Sequence, residues 1–302
     1  MTRMTALLRF GTIALLYIFL AGTSSAFAAE SEHQGAIQRA LAASTLSPAD
    51  QAVVRSRAAA AINAGVPAED VGIIVSRSLD RGAGPGAVSR FLDISVSAKR
   101  SGLPIGPVLD RIEQGLSKGV PAERIAAASE RLTEKLMTAR PLVDGLIRDG
   151  MTFRGSTDRE EAIEATARAL ERSIPVQDIK GMGAAVQGRQ GRLTLFTSAV
   201  ETATFFTGSG ISSKTASRLV QSSVEKGSSG QDLNAMTRRM TEEMKQGARP
   251  EDVAAKMEHE NKNMNDERNR ERQEDMHREM RTDHGGGGNG PSGMGGMGGP
   301  RR

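Results

Sequence analysis

From about residue 47 to residue 258 the apolar positions fall in short runs with helical spacing, and the same few residue types cut each run off. Val71, Ile74, Val75 and Leu79 form one stripe, Val108, Leu109, Ile112 and Leu116 a second, and Ile125, Leu132 and Leu136 a third. Recurrence at three and four residues places each set on one face of an α-helix. The interruptions share a phrase of glycine, spacer, proline and acidic residues. It is written in full or in part as Ser47-Pro48-Ala49-Asp50, Gly65-Val66-Pro67-Ala68-Glu69-Asp70, Gly102-Leu103-Pro104, Gly119-Val120-Pro121-Ala122-Glu123 and Gly247-Ala248-Arg249-Pro250-Glu251-Asp252. Glycine tolerates the left-handed conformation just past a helix end, proline is preset for the first turn of the next helix, and acids there complement the helix dipole. Weaker helix starts fall at Gly84-Pro85, Arg140-Pro141, Ile174-Pro175, Gly210-Ile211-Ser212 and Gly230-Gln231-Asp232, and Thr157 with Glu160 forms a capping-box pattern.

Taken two at a time, the anchors Pro67, Pro104, Pro141, Pro175, Ser212 and Pro250 are separated by 37, 37, 34, 37 and 38 residues. A period in the high thirties, divided near its middle by a second helix start, describes a repeated helix–turn–helix unit. One such hairpin cannot bury its own stripe, so the predicted fold is all-α: stacked helical hairpins in a solenoid-like array, with small residues letting the helices approach closely. The stretch Gly181 to Gly191 is the poorest helix and the expected bend or boundary, because an interior glycine costs ~1 kcal/mol relative to alanine. The expected organisation is a signal peptide over 1–28, a first repeat region over 29–180 and a second over 181–255. A charged helix or disordered segment over 256–284 and a glycine-rich disordered tail over 285–302 complete it.

The phrase G-V-P-A-E-[DR]-[VI], at Gly65 and Gly119, resembles one found in uncharacterised exported helical proteins of proteobacteria. It is also distantly similar to helical repeats of the tetratricopeptide and Sel1 types. The resemblance to the exported group covers roughly Ser47 to Arg140 and implies the hairpin-stack architecture, without an activity. No Trp or Tyr remains beyond the leader, so the peptide-binding residues of tetratricopeptide repeats have no counterpart.

The leader itself reads as an export signal. Arg3 and Arg9 supply the positive end, Gly11 to Gly22 is an uncharged apolar run, and Ala26-Phe27-Ala28 is a small-x-small cleavage site. The apolar run is shorter than the ~20 residues that span a bilayer, so the expected product carries no permanent membrane span and is periplasmic or extracellular. Removing Arg3 and Arg9 from the 40 basic residues leaves 38 against 36 acidic ones. That near-neutrality argues against nucleic acid as a partner, since displacing counterions from phosphates needs a basic surface. Among the 302 residues there is no Cys, which excludes disulfides, thiolate nucleophiles and Cys-ligated metal.

Histidine is absent from residues 34 to 258, so the repeats hold no Ser-His-Asp triad, His-bearing zinc site or H-E-x-x-H helix. The remaining catalytic option is carboxylate chemistry, for which Glu69 with Asp70, Glu160 with Glu161, and Glu251 with Asp252 are the adjacent acids; all fall at predicted helix starts, where capping and the dipole account for them. Arg77, Arg81, Lys99, Arg100, Lys118 and Lys226 recur near predicted helix ends. They complement the dipole there, or line one edge of the stack as a stripe for an acidic partner or an anionic envelope polymer. The charged segment contributes one metal reading: His277, Met280 and His284 fall at i, i+3 and i+7, with Met276, Met294 and Met297 nearby, and thioether and imidazole ligands suit copper. The leading expectation is an exported, non-enzymatic helical-repeat protein that binds another protein or an envelope component. Copper binding through the Met/His tail is the alternative, and a carboxylate-dependent envelope hydrolase the third reading.

Overall fold

In the computed structural model of the protein, which describes residues 34–189 and 191–260, every apolar stripe named above lies on a helix. The order is α1 (34–43), α2 (Pro48–Asn63), α3 (Ala68–Asp80), α4 (Pro85–Arg100), α5 (Gly106–Ser117) and α6 (Ala122–Arg148), then α7 (Ser156–Glu171), α8 (Val176–Gln187), α9 (Leu193–Gly208), α10 (Ser213–Glu225), α11 (Gly230–Lys245) and α12 (250–260). Among the described residues there is no strand, only a lone parallel bridge between Thr152 and Arg192. The fold is all-α, built of stacked helices. Val71, Ile74, Val75, Val108, Leu109, Ile112, Leu116, Ile125, Leu132 and Leu136 are all buried.

The joints follow from the glycine–proline phrase. At Gly65, with φ +88°, the Gly65 N–H donates to the Ile62 carbonyl at 2.9 Å and the Val66 N–H to the Ala61 carbonyl at 3.1 Å, which satisfies the last carbonyls of α2. The same turn drops Val66 into the core, 2% exposed. Pro67, Pro121 and Pro175 stand one residue ahead of α3, α6 and α8, where their carbonyls accept from Val71, Ile125 and Ile179. Pro104 lies two residues ahead of α5, whose own first-turn proline is Pro107. The capping box expected at Thr157 is not formed. Helix α7 already begins at Ser156 without a side-chain cap, and Asp158 accepts the N–H of Arg154 at 2.9 Å, ahead of the helix.

Successive repeats stack like on like: α2 on α4, α3 on α5, α7 on α9 and α8 on α10. Ties close to one period apart set the register. Arg57 pairs with Asp93 at 3.3 Å and Arg77 with Glu113 at 2.7 Å, while Arg81 donates to the Ser117 carbonyl at 2.9 Å and Arg189 to the Glu225 carbonyl. The last two close the C-terminal end of a helix in the next repeat.

One joint is missing. Helix α6 runs for 27 residues straight through Pro141, where the spacing predicts a turn. The position 37 residues after Gly102 is Ala139, so no glycine is there to take the left-handed step, and proline alone removes one N–H without reversing the chain. Pro141 cannot donate to the Met137 carbonyl, and both residues are exposed. Packing against α4, α5 and α7 keeps α6 helical on both sides of Pro141 against a proline penalty of ~3 kcal/mol.

Helix α6 therefore belongs to two stacks. Its first half continues the early repeats through Arg90–Glu130, at 2.8 Å. Its second half joins the later ones: Leu146 fills the space a side chain on Gly183 would need, and Gln187 donates to the Asp149 carbonyl at 3.3 Å. Helix α7 then folds back on α6, held by a two-pronged pair between Arg159 and Asp144 at 2.8 and 3.0 Å.

The chain forms two compact units that meet inside α11, the first ending at Arg238 and the second beginning at Arg239. Residues 181–187, in the glycine-rich stretch, form the second half of α8. Gly181 and Gly183 lie where α8 is closest to Gln221 and Leu146, so their lack of a side chain serves packing. In the second unit Arg239 donates to both Glu260 and Glu243 and thereby fastens α11 to α12. Among the described residues no helix is long and apolar enough to cross a membrane. The leader over 1–28 and the segments beyond 260 lie outside the described residues.

Candidate functional site

Where α6 runs on instead of turning, a cleft of ≈ 190 Å³ opens between α5 and α7. Its floor is Leu132 and Leu136 of α6. One wall is Pro107, Asp110, Arg111 and Gln114 of α5, and the other is Glu164, Arg168 and Glu171 of α7. These two walls come from helices whose starts, Gly106 and Ser156, are 50 residues apart in the chain.

The charges in the cleft are unevenly paired. Arg111 reaches across to both carboxylate oxygens of Glu171, at 3.2 and 3.1 Å. Arg168 makes its short bond outside the cleft, to Glu201 at 2.8 Å, and approaches Glu164 only to 3.8 Å. Asp110 makes no ion pair or side-chain hydrogen bond among the described residues. The Glu164 side chain is 27% exposed and sits in the middle of α7, away from either helix end. Burial holds its carboxyl above the ordinary carboxylate range; Arg168 opposes this, and Glu160, Asp110 and Glu161 add to it. Asp70 is likewise raised, by burial first and then by Glu69, Glu113 and Asp110. Asp110 thus contributes to one negative field felt from α3 to α7.

The residues singled out from the sequence are placed elsewhere. Glu69 and Asp70 are in the first turn of α3, Glu251 and Asp252 in the first turn of α12, and Glu160 and Glu161 in the second turn of α7. Arg77 and Arg81 are engaged by Glu113 and by the Ser117 carbonyl, and the Lys99 stem lies against Gly65 at the end of α2. His277, Met280 and His284 lie outside the described residues, as do Met276, Met294 and Met297. Among the described residues no group of three or more metal-ligating side chains comes together. The cleft residues Asp110, Arg111, Glu164 and Arg168 were not candidates from the sequence. The signal that marks them is indirect: the one anchor spacing of 34, and the glycine absent before Pro141.

A second hollow, of ≈ 370 Å³, lies between α7 and α9 and shares Arg168 with the first; Arg172, Glu201 and the half-exposed Phe205 line it. Fold and site together define a stacked-helix protein with a charged cleft at the point where its repeat is interrupted. Compared with protein-family models, with curated proteins and with solved structures, the chain matches none.

Proposed function

We propose that the protein is an exported, non-enzymatic helical-repeat scaffold that binds another protein, or an envelope component, through the cleft between α5 and α7. Export rests on the leader. Binding rests on one observation: an open cleft with charged walls lies between α5 and α7, over the Leu132–Leu136 part of the uninterrupted helix α6. Repeat stacks commonly present such surfaces to partners. A photoactivatable cross-linker at Gln114 is expected to give a discrete adduct from envelope extract that the same group at Arg55 on α2 does not give. Identical adduct patterns from both positions would contradict the reading.

A second reading has its own support. Glu164 is a shielded carboxyl in an open cleft, away from any helix start, as an acid catalyst in a carboxylate-dependent hydrolase requires. It predicts hydrolysis of an envelope polymer that Glu164→Gln abolishes; wild-type protein inert on such polymers would remove it. Copper binding through His277, Met280 and His284 remains a proposal from the sequence. It is tested by Cu(I) titration of the full chain against one ending at Asn263, and equal affinity in both would contradict it.

A further inference from the structure

We draw no further inference here: the strongest candidate, the hollow between α7 and α9 beside the half-exposed Phe205, has its Arg168 engaged by Glu201 and its Arg172 lying against Gly208, and nothing in the structure shows what covers it.

Discussion

Glu164 on α7 and Asp144 on α6 show how neighbours shift two carboxylates in opposite directions. The Arg159 hydrogen bonds, with Arg140 adding, hold Asp144 below the ordinary carboxylate range despite some burial. A lowered folded value means stability that is present above the ordinary aspartate range and lost as pH falls through the folded one. Asp144→Asn is therefore expected to destabilise the protein at neutral pH by on the order of 1 kcal/mol and to make no difference once both forms are protonated. Glu164 has the reverse sign. Its folded value is raised, so the folded protein holds that proton more tightly and stability falls as pH rises from the ordinary glutamate range through the folded value. Glu164→Gln is expected to raise stability at neutral pH, and urea unfolding across pH 3 to 8 checks both signs. Ser173 offers a different residue-scale test: it takes φ 60° at the end of α7, in the left-handed step that other joints give to glycine. Ser173→Gly is expected to stabilise by roughly 0.5–1 kcal/mol in the same measurement. At this scale little of the cleft is legible in the sequence. Leu132 and Leu136 are visible as an apolar stripe, but Asp110 and Glu164 look like any solvated charge until the fold places them on the two walls of one cleft.

Helix boundaries are more readable, because the forces that set them are local. The turn at Gly65 needs only a left-handed glycine, a carbonyl to satisfy and an apolar Val66 to bury, and all three are adjacent in the chain. The sequence fails at Pro141, where local and tertiary preferences disagree. Proline reads as a helix start, yet without a glycine before it the chain has no means of reversing, and the flanks packed on α4, α5 and α7 keep it helical. Pro141→Ala is accordingly expected to stabilise α6 by about 1–3 kcal/mol by restoring the bond to the Met137 carbonyl. Arg140→Gly, which rebuilds the glycine–proline phrase and removes the Arg140 contacts to Ser101 and Asp144, is expected to lower stability and helix content. Chemical unfolding followed by far-ultraviolet circular dichroism reads both. A loss of stability in Pro141→Ala would mean that the proline favours its present place.

At the scale of the first unit, the period of about 37 residues is a statement about stacking, and the irregular spacing of 34 between Pro141 and Pro175 marks where α6 continues through its proline. Regular repeats spend their cations on one another: Arg57 on Asp93, Arg77 on Glu113, Arg81 and Arg189 on carbonyls of the next repeat. Where α6 spans two stacks, Arg90 pairs with Glu130 and Arg159 with Asp144, while Asp110 and Glu164 line a cleft between α5 and α7. The continuity of α6 therefore carries the functional reading as well as the fold. The chain contains no cysteine, so spin labels can be placed at Arg124→Cys and Arg148→Cys alone, both exposed and at opposite ends of α6. A continuous helix sets their backbones about 36 Å apart, at about 1.5 Å per residue. Double electron–electron resonance is expected to give a single narrow distribution near that distance, whereas a population near about 18 Å, which follows when the chain turns back at Pro141 beside the first part of the helix, would show a hairpin and contradict it.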